Sequence, residues 1–191
     1  MGAYPIAGKT RAFFILVAYI SLAMIVAIMA YALYSFVTDG IGIIGSSLVQ
    51  VEFPPWTFIP VHAKPITLLY AASLVLLYTT LELSWERTRK FSTGTLHLLK
   101  LAAFGVGSVA FFELVYNAVF WGSIIAAQAI LGHLNPDTVA NPFPDLPHPI
   151  NSVFASKVSA ATLIGSIYVY HYFTKVQGPS PTAESAGTKG S

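Results

Sequence analysis

The chain has 191 residues, of which 55% are hydrophobic and only 9% charged, and its formal net charge is +2. Ordinary soluble domains have about a quarter of their residues charged, so this composition excludes a soluble globular protein. The small net charge gives no reason to expect a nucleic-acid partner. The sequence contains no cysteine, which excludes disulfides, thiolate metal sites and thiol nucleophiles.

The apolar residues collect in long runs, and a helix that crosses the hydrocarbon of a bilayer needs about 20 of them. The runs predict an all-α membrane protein with four transmembrane helices, over about residues 12–37, 66–85, 101–131 and 153–174. The second run is long enough only if Glu82–Trp85 lies among the lipid headgroups. The third is long enough to tilt or to extend beyond the bilayer. We therefore predict one transmembrane domain over residues 1–175 and, because residues 176–191 are small and polar, a flexible tail.

The basic residues are sorted to one side of these predicted spans. That side carries Lys9, Arg11, Arg87, Arg89, Lys90, Lys100, Lys175 and Lys189, and only Lys64 and Lys157 fall on the other. By the positive-inside rule, both termini and the short loop 86–100 are cytoplasmic. The long loops 38–65 and 132–152 then face outward from a multi-pass protein of the cytoplasmic membrane.

Both outer loops are rich in proline and aromatic residues. Phe53–Pro60 contains Trp56 and Phe58, and Asn141–Pro149 contains Phe143 and His148. Repeated prolines cannot sustain a helix, so we predict extended segments. Two interpretations are open: loops that lie at the membrane interface, or contact patches for a neighbouring subunit. Just upstream, the alternation over Val49–Phe53 predicts a short strand or a surface-lying segment.

The third span carries a predicted stripe of buried polar groups. Glu113 lies about midway along it, Asn117 follows one turn later, and Gln128 returns to within about 60° of the same face. A charge at the bilayer centre costs about 3 kcal/mol on insertion scales, so Glu113 must be protonated, paired or turned toward a polar interior. It is either a proton relay or ligand, or a neutral carboxyl bonded to Asn117 or to a neighbouring helix. Lys157, near the outer end of the fourth span, could reach toward this stripe.

The fourth span carries small residues at helical spacing. They are Ala155, Ser159, Thr162 and Ser166. Helices in lipid associate through close backbone approach, so we predict a helix-packing face. The pattern does not decide whether this face meets the chain's own helices or a partner.

Catalytic motifs are absent from the sequence, so we assign no catalytic residue. His62, His133 and His148 lie in the outer loops with carboxylates nearby in sequence, which makes them weak candidates for metal ligands. No helical His-x-x-x-His pair supports them.

The layout of four spans with a long outer loop after the first resembles small membrane subunits of archaeal or bacterial oxidase assemblies, including copper membrane monooxygenases of the ammonia and methane type. In that family the metal ligands are an aspartate and two histidines on helices. Here the comparable stretch reads Glu113-x-x-x-Asn117, and no histidine follows before His133. The ligand set is therefore not matched, and no catalytic residue is carried over.

These features together predict a non-catalytic integral membrane subunit that scaffolds or stabilises a larger respiratory or oxidative complex and is not an enzyme by itself. Its partners would be other membrane subunits and the bilayer. No resident cofactor is called for, and contact with lipid or quinone is the small-molecule interaction that we expect. The alternatives are a small proton-coupled transporter or channel that uses Glu113 and Asn117, and an outer-face metal-dependent oxidase or monooxygenase subunit.

Overall fold

The computed structural model describes residues 8–38, 46–50, 64–132 and 152–178. All regular structure in these ranges is helical: α1 (Gly8–Thr38), α2 (Ser46–Gln50), α3 (Pro65–Leu83), α4 (Trp85–Thr88), α5 (Thr93–Ile130) and α6 (Ser152–Gln177). Four of these, α1, α3, α5 and α6, are long and apolar enough to cross a membrane. The prediction of an all-helical, multi-pass membrane protein with four spans is confirmed.

Two helix ends differ from the prediction for local reasons. Helix α5 begins at Thr93 rather than near 101, because the Ser92 hydroxyl accepts a hydrogen bond from the Thr95 amide at 3.1 Å and caps the helix. Helix α3 ends at Leu83, where the chain turns at Ser84 and Trp85 opens the short α4.

Two further segments also depart from expectation. Residues 46–50 form the helix α2, with Leu48 and Val49 buried, so of the two structures predicted for Val49–Phe53 its first two residues do not form a strand; residues 51–53 lie outside the described residues. Helix α6 runs to Gln177 with Val176 buried, two residues into the predicted tail. The rest of that tail, from residue 179, also lies outside the described part of the chain.

The long helices stand in an open row. Helix α1 packs on α3, α3 packs on α6, and α6 packs on α5, while no comparable contact joins the described residues of α1 and α5. Helices α1 and α5 are therefore the two edges of the row. The row has no closed interior of the kind that a four-helix bundle would have.

Helix directions follow from a few contacts. Helix α3 runs parallel to α6, because Ile66 packs near Val153 at one end and the Tyr172 hydroxyl meets Leu81 near the other. Helix α5 runs antiparallel to α6, because Leu96, near the start of α5, packs in one cluster with Val176, near the end of α6. The start of α1 joins the same end, since the Phe14 ring lies 5.9 Å from that of Tyr78.

We call this end of the molecule the basic end. It carries Lys9, Arg11, Arg87, Arg89, Lys90, Lys100 and Lys175. A small apolar cluster closes it, formed by Leu96, Tyr172, Phe173 and Val176. A second cluster closes the far end, where α2 inserts beside α1 and α3, and it is formed by Ile28, Leu48, Val49 and Ile66.

Helix α5 is much longer than its neighbour. With Gly107 against Ser166, the start of α6 at Ser152 lies opposite residue 121 or so of α5. About 9 residues of α5 therefore project past the start of α6, which is about 14 Å at 1.5 Å per residue. We call this part, residues 122–130, the overhang.

Candidate functional site

The contact between α5 and α6 depends on small residues. A Cβ atom added to Gly107 would lie 3.1 Å from the Cβ of Ser166, so the two helix backbones approach closely there. On the neighbouring flank of α6, a Cβ added to Gly165 would lie 3.2 Å from Leu77 Cδ2 of α3. Helix α6 is thus held against two helices through adjacent small residues.

Helices α3 and α5 border a groove of about 460 Å³ that runs along α6, and we call it the central groove. Its lining is almost entirely apolar, and its floor on α6 is made of short side chains. The lining residues are Ser73, Leu74, Leu77, Leu99, Ala102, Ala103, Val106, Ala161, Thr162, Gly165, Ser166, Val169 and Phe173.

The central groove continues toward the far end as a second open pocket of about 410 Å³ between α5 and α6. The two share Val106 and Thr162. We call this second part the acidic extension, because Glu113 contributes to its lining beside Ser159. The remaining lining residues are Gly105, Val109, Ala110 and Val158.

Glu113 is exposed, and no hydrogen bond or ion pair joins it to any residue in the described ranges. Ser159, its neighbour across the extension, lies six residues along α6 from Val153, so Glu113 lies about 9 Å below the start of α6 at 1.5 Å per residue. A carboxylate at this level is within the apolar part of the spans. Chemically, such a group can bind a cation, accept a hydrogen bond or exchange a proton.

The predicted polar stripe is not buried within this chain. Glu113 is exposed, and Asn117 and Gln128 are half-buried. Glu113 makes no hydrogen bond to Asn117. Lys157 does not pair with it either, and the like charge of Lys64 lies close enough to repel it.

The predicted packing face of α6 is divided between two environments. Ser166 is buried against Gly107 of α5, whereas Ser159 and Thr162 line the acidic extension. Ala155 lies half-buried near the start of the helix. Half of this face therefore remains available for a contact outside the chain.

The basic end holds two hydrogen-bonded tyrosines, Tyr168 and Tyr172, and we call this group the tyrosine cluster. Tyr172, 2% exposed, donates a hydrogen bond to the Leu81 carbonyl at 2.7 Å, and its hydroxyl lies 3.3 Å from Thr88 Oγ1. Tyr168 donates to Glu82 Oε1 at 3.1 Å. The spacing of the two tyrosines places them on one face of α6, but their partners lie on α3 and α4 and have no sequence signature.

The break between α3 and α4 explains the role of Tyr172. Near the end of α3 the Leu81 carbonyl accepts hydrogen bonds from the Ser84 amide at 3.1 Å and from the Tyr172 hydroxyl, which joins α6 to this break. The Trp85 ring packs edge-on against Tyr172 at 5.4 Å, and its buried indole N–H has no partner among the described residues. The ammonium group of Lys100 donates to Gln177 Oε1, which joins the start of α5 to the end of α6.

The remaining predicted site residues cannot be placed. Trp56, Phe58, Phe143 and the candidate metal ligands His62, His133 and His148 lie outside the described residues. Across 8–38, 46–50, 64–132 and 152–178, no three residues of the types His, Asp and Glu come together as a metal site would require.

No protein family matches the chain, and no curated protein or solved structure shows significant similarity to it.

Proposed function

We propose that this protein is a non-catalytic integral membrane subunit that scaffolds or stabilises a larger membrane complex. The observation that carries the proposal is Glu113, an exposed carboxylate at the level of the apolar spans with no partner in the described chain. A charge exposed to hydrocarbon costs about 3 kcal/mol on insertion scales. A neighbouring subunit that covers Glu113 would remove that cost.

The open row of helices supports the same function. The edge helices α1 and α5 each have one long-helix neighbour, and small residues on α6 remain uncovered in the acidic extension. The overhang also presents apolar surface beyond the start of α6, where Ile130 is 85% exposed. Apolar surface that projects past the neighbouring helix supports a contact with another protein. The respiratory or oxidative nature of the complex rests on the sequence resemblance alone.

The channel alternative receives less support from the site. A proton path needs a chain of polar groups that leads away from Glu113. Apart from Ser159 and Thr162, the lining of the acidic extension consists of glycine, valine and alanine. The metal-dependent alternative depends on histidines outside the described residues, so no observation favours it.

We expect the complex to be isolable from native membranes. The tagged chain, purified in a mild detergent, should migrate on native electrophoresis as a larger assembly, and mass spectrometry should find other membrane proteins in fixed proportion. A monodisperse, stable monomer that accounts for all of the chain would contradict the proposal.

We also propose that the basic end is cytoplasmic, because basic residues are retained on that side of the membrane. The absence of native cysteine allows a direct test by single substitutions. In intact cells an impermeant maleimide should label Leu131→Cys, at the far end, and should reach Arg89→Cys only after permeabilisation. The reverse pattern would invert the orientation.

A further inference from the structure

We infer that the central groove and the acidic extension receive a transmembrane helix of a partner subunit that places a lysine or arginine side chain against Glu113. This inference rests on the proposed function and names the partner's chemistry and its place on the surface.

The shape of the groove suits a helix. On α6 the two parts extend from Phe173 to Val158, which is about 23 Å at 1.5 Å per residue. That length is most of the hydrocarbon thickness of about 30 Å. Short side chains such as Gly165 and Thr162 form the floor, so the backbone of an incoming helix can approach closely, as helix association in lipid requires.

The charge in the groove distinguishes a partner helix from lipid. An acyl chain would fill the apolar part, but it would leave the Glu113 carboxylate without a donor at a level that no headgroup occupies. A basic side chain on a helix can be held at that level, and burial of one charge is tolerated when a partner of opposite sign pairs with it.

This chain supplies no such cation from its described residues. Lys157, two residues from Ser159 on α6, forms no ion pair with Glu113, and Lys100 donates a hydrogen bond to Gln177 at the basic end. Lys100 also precedes Glu113 by 13 residues of α5, or about 20 Å along the helix. Because no described residue pairs with Glu113, we assign the complementary charge to the partner subunit.

The test uses the assembled complex from native membranes. Glu113→Lys should lower the fraction of the chain found in the assembly by at least about tenfold, and Glu113→Gln should lower it less, because the amide keeps the shape and loses the charge. Glu86→Lys is the matched control, since Glu86 is an exposed carboxylate on α4 away from the groove, and it should assemble normally.

A second measurement locates the partner while Glu113 keeps its charge. Val109→Cys, in the acidic extension, is modified with a thiol-reactive benzophenone and irradiated in native membranes. The expected product joins this chain to a membrane span of a different protein that contains a lysine or arginine. Ile167→Cys, which faces another flank of α6, should give at least about tenfold less of that product.

The outcomes separate the two proposals. Four outcomes would overturn the groove inference and leave the subunit function standing. They are normal assembly of both Glu113 variants, a cross-link only to lipid, a cross-link to a second copy of this chain, and a cross-link to a span without a basic residue. Absence of any co-purifying protein in the wild type would overturn the function itself. If Glu113→Lys fails to insert, Glu113→Gln and the cross-link still decide.

Discussion

Replacing Gly107 by leucine is expected to separate α5 from α6 and to leave the chain without a stable fold. Even the single Cβ of Gly107→Ala would lie 3.1 Å from Ser166 Cβ, and neither atom can rotate away. Overpacking of this kind costs about 1–3 kcal/mol. The effect on the free energy of unfolding should be measured on the purified chain in mild detergent, by titration with a denaturing detergent.

The controls for this prediction come from the same two helices. Gly105→Ala should change stability little, because nothing lies within 4 Å of its added Cβ. Ser166→Gly should restore most of the stability of Gly107→Ala, since it removes the clashing atom, and contacting pairs of this kind couple by about 0.5–3 kcal/mol. Equal loss at Gly105 and Gly107, or no rescue, would show that the close approach does not hold these helices together.

Removal of the Tyr172 side chain should be the other severe change. Tyr172→Ala deletes a buried ring that packs with Trp85 and Phe173, and large aromatic deletions cost about 3–5 kcal/mol. Tyr172→Phe keeps the ring and removes one of the two hydrogen bonds that the Leu81 carbonyl accepts, at a cost of about 0.5–1.5 kcal/mol. The same unfolding titration measures both, and the fluorescence of Trp85 should report the local change.

The neighbouring tyrosine provides the comparison. Tyr170 lies two residues away on the same helix, is 45% exposed, and its hydroxyl makes no bond to the described residues. Tyr170→Phe should therefore leave stability unchanged, and Tyr170→Ala should cost much less than Tyr172→Ala. If the two positions behave alike, the tyrosine cluster does not fasten α6 to the break between α3 and α4.

Local helix signals explain how closely the spans could be predicted. Helix α5 begins eight residues before the predicted span, because hydropathy does not register the polar first turns that the Ser92 cap makes helical. Helix α3 ends two residues before the predicted span does, because nothing in the composition of Glu82–Trp85 indicates the turn at Ser84. Both differences lie at the ends of helices, where short-range hydrogen bonds rather than hydrophobicity decide the boundary.

The candidate site, too, is predicted by the sequence only in part. The sequence singled out Glu113, Ser159 and Thr162, because a carboxylate among apolar residues and small residues at helical spacing are visible in one dimension. These three residues line one open pocket only because of the register of α5 against α6. The sequence predicts that Lys157 could reach toward Glu113, whereas no ion pair joins the two side chains in the described residues.

The number of spans and the sorting of basic residues follow from the sequence by itself, because transfer into lipid is governed by the composition of each segment. Only the tertiary structure decided that the helices form an open row, that Glu113 is exposed and that Tyr172 reaches the Leu81 carbonyl. These features depend on the rotation and register of one helix against another. Close contacts between helices, such as Gly107 with Ser166, set both, and no pattern within a single helix specifies its partner.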